Sequence, residues 1–218
     1  MKIMRFVFSI IIYLLFIIKC QAEGFKSCDL IFIYDGNSDF SSAITETTAD
    51  SDSIKFIHVG VIEIDKENNI IVWDASPERG VSSSCFEEFI KNVPLRNGKP
   101  SIVVKRLSIP FPIETTLENI KKHNGQPYDW WYLPDNGKMY CSELVYESFR
   151  DFGGDRIFSS KPMNFRSPDG TIPDFWIRLF NQLGEPVPEG IPGTNPNDLS
   201  KDNRLVSIPL SCFYYLNE

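Results

Sequence analysis

Two apolar runs decide the fold: Ile54-Lys55-Phe56-Ile57-His58-Val59-Gly60-Val61-Ile62-Glu63-Ile64, and, after Asp65 to Asn69, Ile70-Ile71-Val72-Trp73-Asp74-Ala75. Both are rich in β-branched residues with few breaks, the signature of buried strands. The polar segment between them is turn-length, so the two runs predict a β-hairpin. Each strand is interrupted by one ionisable residue, His58 in the first and Asp74 in the second. Side chains alternate faces along a strand. Pairing Ile64 with Asn68 sets His58 opposite Asp74; pairing Ile64 with Ile70 sets Asp74 opposite Gly60, diagonal to His58. In either register the imidazole and the carboxylate share a face within or near contact range. Glu63 lies on the other face.

Upstream of the hairpin, Asp29 to Tyr34 (DLIFIY) reads as a short apolar strand, and Asp35 to Ser53 as a long polar surface loop. Downstream, Ser82 to Ser84 are expected to cap a short helix over Cys85 to Asn92. Ile102 to Leu107 reads as a strand, and Ile113 to His123 has apolar residues at helical spacing. Pro127 to Gly137 is an aromatic loop. Ser142 to Phe152 predicts a helix stopped by Gly153-Gly154, and Ile172 to Leu183 a second helix with Pro173 in its first turn. Gly184 to Ser200 is Pro-, Gly- and Asn-rich and reads as irregular wrapping chain. Leu205 to Tyr215 reads as a final strand. Strands mixed with helices and no long linker predict one α+β domain over residues 23–218, with an antiparallel sheet packed against helices.

The 218 residues hold 17 Phe and 4 Trp, ample for a single core. Before that domain, Lys2 and Arg5 precede an apolar run from Phe6 to Ile18, and Cys20-Gln21-Ala22 ends it with small residues at its first and third places. This reads as a secretory signal over residues 1–22, too short for a membrane span and implying an exported, periplasmic or extracellular protein. Lys19 directly before Cys20 argues against a lipid-modified cysteine there. The full chain carries 22 basic and 29 acidic residues. Removing Lys2, Arg5 and Lys19 with the leader leaves 19 against 29, a net of −10. With no basic run in the remaining chain, a nucleic-acid partner is excluded as an expectation. Cys28, Cys85, Cys141 and Cys212 remain, with no CxxC pair. A single disulfide among Cys28, Cys85 and Cys212 stays open. The two histidines and scattered cysteines have no metal-ligand spacing, and no cofactor motif is present.

Cys141 has its own context, Tyr140-Cys141-Ser142-Glu143-Leu144, at the junction of the aromatic loop and a helix. Unpaired N–H groups and the positive end of the helix dipole stabilise a thiolate there, and the same N–H groups can hold an oxyanion. His58 supplies a base and Asp74 a carboxylate to orient it, the logic of a nucleophile–base–orienter triad. His123, beside Lys121 and Lys122, is expected to be exposed. Trp130, Trp131 and Tyr132 either line a substrate cleft or pack in the core. Tyr140 or Tyr34 could add a donor to the site.

These residues together carry a resemblance. Asp29-Leu30-Ile31-Phe32, His58-Val59-Gly60-Val61, Trp73-Asp74-Ala75 with Gly80-Val81, Tyr128-Asp129, Tyr140-Cys141-Ser142-Glu143-Leu144-Val145 and the tail Pro192-Gly193-Thr194-Asn195-Pro196 resemble the YiiX-like permuted papain-like amidases. That group is related to the NlpC-type peptidases and the lecithin:retinol acyltransferases. The resemblance implies a circularly permuted papain-like fold, with Cys141 as nucleophile and His58 as base. In these relatives the third position is often Glu, where this chain has Asp74. It further implies a cysteine peptidase or amidase acting on a cell-wall peptide. The acyltransferase kinship implies instead a lipid ester or amide, and with it proximity to a membrane. A third reading is an envelope-binding module that keeps the fold without turnover. Composition does not reveal the oligomeric state.

Overall fold

The computed structural model describes residues 24–48 and 54–210. The expected leader, Cys20, Cys212 and the end of the expected final strand lie outside the described residues.

Six strands form one antiparallel sheet in the order β10-β7-β1-β2-β3-β4. They are β1 Leu30–Tyr34, β2 Phe56–Ile64, β3 Ile70–Ser76, β4 Gly80–Cys85, β7 Ile102–Leu107 and β10 Leu205–Ile208. Two small ladders, β5 Leu95–Arg96 with β6 Lys99–Pro100 and β8 Lys161–Pro162 with β9 Pro192–Gly193, lie apart from it. The hairpin takes the longer-turn register, Ile64 opposite Ile70. The central strand β1 is covered on both faces, which is why Leu30 to Ile33 form an unbroken apolar run rather than an alternating one. On one face Leu30, Phe32, Val59, Val61, Trp73 and Val81 meet the main core. On the other, Ile31, Ile33, Ile62, Val72 and Val104 pack with Phe89 and Val93. Buried Asp29 at the foot of β1 is matched by Arg106 of β7, whose Nε and Nη2 donate to its two oxygens at 2.6 Å each.

The helices are α1 Asp39–Thr48, α2 Phe86–Lys91, α3 Ile113–Lys122, α4 Cys141–Ser148, α5 Asp174–Leu183 and α6 Pro196–Ser200. Four of them or their neighbours depart from the sequence reading. The expected loop from Asp35 to Ser53 contains α1, which rests on α5 and β2. The expected Ser cap before α2 is a sixth sheet strand, β4, paired with β3 from Ser76↔Gly80 to Ile71↔Cys85. Cys85, not a serine, precedes α2, and no side chain caps it. Helix α4 begins at Cys141 and stops at Ser148, well short of Gly153. Phe149 turns extended, with φ −86° and ψ 106°, and its carbonyl accepts from Ile157 N–H at 3.0 Å. Phe152 is then left 74% exposed instead of on the helix's apolar side. The wrapping segment holds β9 and α6, the latter capped by Asn195, whose side chain accepts from Asp198 N–H at 2.8 Å. Helix α5 starts at Asp174 with Pro173 at the cap, and ends at Gly184 in the left-handed conformation. No helix among the described residues is long and apolar enough to cross a membrane.

Candidate active site

Cys141 opens α4, so its N–H and that of Ser142 belong to the first turn and have no intrahelical acceptor. The helix packs on β2 and β3, which brings its first residue to the two strands that carry His58 and Asp74. The start of the helix is fixed by its surroundings. Tyr140 N–H donates to Glu143 Oε2 at 3.4 Å, and the Tyr140 hydroxyl accepts from Thr194 N–H at 3.1 Å. The hydroxyls of Thr194 and Ser142 lie 3.1 Å apart. Before it, buried Asp129 gathers the aromatic loop by accepting from the N–H groups of Trp131 and Leu133 and from Asn136 Nδ2, each at 2.9 Å. Asp129 also faces Glu143. Burial first, and this like charge second, push the Glu143 carboxyl up to about 8.

His58 lies beside a β-bulge, where the β1–β2 register shifts between Ile33 and Tyr34, opposite His58 and Phe56. Bulges re-aim side chains and are frequent next to active sites. Its Nε2 is 2.8 Å from Asp74 Oδ2, and Cys141 lies near enough for its charge to act on the ring. With Nε2 engaged by the carboxylate, Nδ1 is the nitrogen left for the sulfur. Asp74 is nearly sealed and the His58 side chain is 17% exposed. Burial alone would lower the affinity of His58 for its proton. The charge on Cys141, and next the hydrogen bond that the ring donates to Asp74, outweigh burial and push the imidazole up to about 10. The arrangement sets an imidazole that holds its proton tightly next to the Cys141 sulfur, the pairing that a cysteine–histidine acyl-transfer site needs. The rival carboxylate, Glu63, is committed elsewhere: it accepts from Trp73 Nε1 at 2.7 Å and from Lys121 Nζ at 2.5 Å.

A pocket of about 60 Å³ opens beside Cys141. Ile44 of α1, Ile57, Met163, Phe165, Trp176 of α5 and Pro196 make it apolar, and Tyr128, Tyr132 and Tyr140 complete the wall at Cys141. Burial holds the three tyrosine hydroxyls protonated, well above their ordinary range. Tyr140 and Tyr132 of the expected site thus reach this wall. Trp130, Trp131 and Tyr34 do not line it. Trp130 packs on Phe40 and Tyr128 at centroid distances of 5.4 and 4.9 Å. Trp131 lies under the Lys138 ammonium, 3.2 Å from the ring centroid. Tyr34 packs on Phe56 and under Arg96. His123 ends α3, half-buried rather than exposed, with Nδ1 3.0 Å from Gln126 Oε1. Cys28 and Cys85 are free thiols. The sequence reading missed the contribution of α1 to the pocket, because Ser- and Thr-rich Asp39–Thr48 carries no apolar stripe strong enough to mark a helix.

A family model described as permuted papain-like amidase enzyme, YaeF/YiiX, C92 family, matches residues 25–208. The chain belongs to this family. It is a family of cysteine peptidases and amidases, and its members' circularly permuted papain-like fold accounts for the order seen here, the histidine strand before the cysteine helix. Among solved structures, the crystal structure of the metalloprotein YiiX from Escherichia coli O157:H7 is similar, with a TM-score of 0.66 and 21% identity over 84% of this chain and 96% of that one. At that identity the likeness is one of fold. No curated protein matches the chain. The description of YiiX as a metalloprotein has no counterpart in a ligand cluster here: among the described residues no three His, Cys, Asp or Glu side chains are grouped to hold a metal ion.

Proposed function

We propose that this chain is an exported cysteine hydrolase that opens an amide bond by acyl transfer, with Cys141 as nucleophile, His58 as base and acid, and Asp74 as orienter. The observation that carries the reading is His58 paired with Asp74 at 2.8 Å on the two strands against which the helix opened by Cys141 packs. The thiolate attacks the amide carbon, and the carbonyl electrons move to an oxyanion that the first-turn N–H groups of Cys141 and Ser142 are placed to meet. As the C–N bond breaks, the imidazolium gives its proton to the departing amine, leaving a thioester on Cys141. His58 then takes a proton from water, whose oxygen attacks the thioester. The C–S bond breaks, and the acid and the thiolate–imidazolium pair are released. Asp74 holds the ring throughout.

A leader-like N-terminus and a family of amidases favour a peptide amide of the cell wall as substrate. The apolar pocket at Cys141 favours a second reading, in which the acyl part is a lipid chain and the bond an acyl-lipid amide or ester. Purified chain incubated with muropeptides, and separately with N-acyl and O-acyl lipids, separates the two by which releases product. In either case Cys141→Ala should abolish the rate. Full turnover by that variant would end the acyl-transfer reading, and no acyl adduct on Cys141 with either substrate set would favour a binding module.

A further inference from the structure

Asp74 is gripped from two sides. Its Oδ2 takes the bond from His58, and its Oδ1 accepts from Arg79 Nη2 at 3.3 Å. Arg79 sits in the turn between β3 and β4, its own N–H donating to Ser76 O at 3.3 Å. That turn is itself pinned. Gly80 has φ +65°, and a Cβ there would strike the Gln126 carbonyl. Val81 N–H donates to Gln126 O at 2.8 Å, and Gly125 N–H to Val81 O at 2.8 Å. The turn thus rests on the chain that leads into the aromatic loop and on to Cys141.

The terminal torsion of an aspartate is broad and roughly two-fold, so one hydrogen bond does not fix the carboxylate plane. A donor on the second oxygen does. An exposed ion pair would contribute little, but the Asp74 side chain is only 4% exposed while that of Arg79 is 42% exposed. The pair is therefore weakly screened on the side that matters. We propose that Arg79 is a positioning residue for the candidate triad: by holding Oδ1 it turns the Asp74 carboxylate so that Oδ2 meets His58. The inference rests on the acyl-transfer reading above. Arg79 acts through Asp74 and touches no reacting atom.

The charge of Arg79 and its grip on Asp74 have opposite effects on His58, and this makes the role testable without a substrate. Removing a nearby positive charge alone would raise the proton affinity of the ring. Freeing the carboxylate would lower it. The chain has two histidines, His58 and His123, so ring resonances can be followed by NMR in the full chain, assigned with His123→Gln. In Arg79→Ala the His58 midpoint is expected to fall by about one pH unit, a tenfold change in protonation constant. Alkylation of Cys141 by iodoacetamide at neutral pH is expected to slow about tenfold, as misplacement of a catalytic group does. Arg79→Lys, which keeps the charge and a donor, recovers at least half of both effects. Should Arg79→Ala fail to fold, Arg79→Met keeps the aliphatic stem, drops the donors and makes the same test. A His58 midpoint that stays or rises overturns the proposal. A wild-type His58 that titrates near 6.5, or a Cys141→Ala variant with full turnover, overturns the triad reading instead.

Discussion

Asn197 binds the tail of the chain to the strand that carries His58, and its removal should cost more than any other single truncation in the tail. Its side chain is almost fully buried. Oδ1 accepts from Phe56 N–H at 2.8 Å, while Nδ2 donates to Phe56 O and to Thr48 Oγ1, each at 2.8 Å. A side-chain amide thus pairs with a peptide group as a neighbouring strand would. In Asn197→Ala the Phe56 N–H and C=O stay in a buried setting without partners. Each such group costs about 1–3 kcal/mol. Allowing for water entering the vacated space, the loss should be about 3–4 kcal/mol, a large part of the roughly 5–15 kcal/mol that stabilises a domain.

Urea unfolding measures this directly. With a slope of about 2 kcal/mol/M, the midpoint should drop by about 1.5–2 M with the slope unchanged. Asn195→Ala is the internal control. It removes the cap of α6 and the amide's second bond, to Asp198 Oδ2, both within that helix's first turn, and should cost about 1 kcal/mol. Because Phe56 is two residues from His58, Asn197→Ala should also slow Cys141 alkylation in the fraction that remains folded. Equal losses for the two variants, or a cost below about 1 kcal/mol for Asn197→Ala, would refute the claim that this amide fixes the start of β2.

Two further predictions concern protons. Asp74→Asn removes the carboxylate charge that helps push His58 up to about 10. A histidine raised in the fold contributes stability that is complete below its unfolded value near 6.5 and is lost as pH rises through about 10. The Asn variant should therefore shed its stability bonus, and the alkaline limb of Cys141 alkylation by iodoacetate, at lower pH than wild type; superimposable profiles would refute the role of Asp74. Glu143 has the opposite sign. Its carboxyl is pushed from 4.5 up to about 8, chiefly by burial, so the folded chain keeps a proton that the unfolded chain releases. Stability should fall as pH rises from about 4.5 to 8. Glu143→Gln should remove that slope and exceed wild type in urea midpoint above pH 8, whereas parallel curves at all pH values would count against a buried, protonated Glu143.

Much of the site was legible because its parts interrupt strong patterns. His58 and Asp74 break two apolar runs whose pairing needs only strand geometry, and the choice left open, the register, was between two values that both brought them near each other. Cys141 was legible by its place at a loop–helix junction. The losses have physical causes. Helix α1 buries only Ala43 and Thr47 fully, and its Ser and Thr residues favour turns as much as helices; packing on α5 and β2 decides it. Gly80-Val81-Ser82-Ser83-Ser84 reads as a cap because serines are common there, yet a six-residue ladder with β3 makes it a strand. Periodicity extended α4 to Phe152, but the ladder contact of Phe149 with Ile157 ends it a turn earlier. In each case a contact made outside the segment itself overrode a local preference that the sequence displayed clearly.

The division of labour in the site follows from the same distinction. The groups proposed to move protons and form bonds lie at the start of α4 and on β2 and β3, elements locked into the sheet and main core. The pocket walls come mostly from elsewhere: Ile44 from α1, Trp176 from α5, Met163 and Phe165 from the loops between, Pro196 from the tail. These pieces are tied to the centre by a few polar contacts, Thr194 to Tyr140 and Ser142, Asn197 to Phe56, and Asn164 Nδ2 to Thr47 O at 2.9 Å. A wall substitution can therefore reshape what fits beside Cys141 without entering the hydrogen bonds that set His58. The proposed chemistry and the choice of acyl group are thus built on separable parts of the chain: the first on β2, β3 and the start of α4, the second on segments whose sequences carry the weakest local signal.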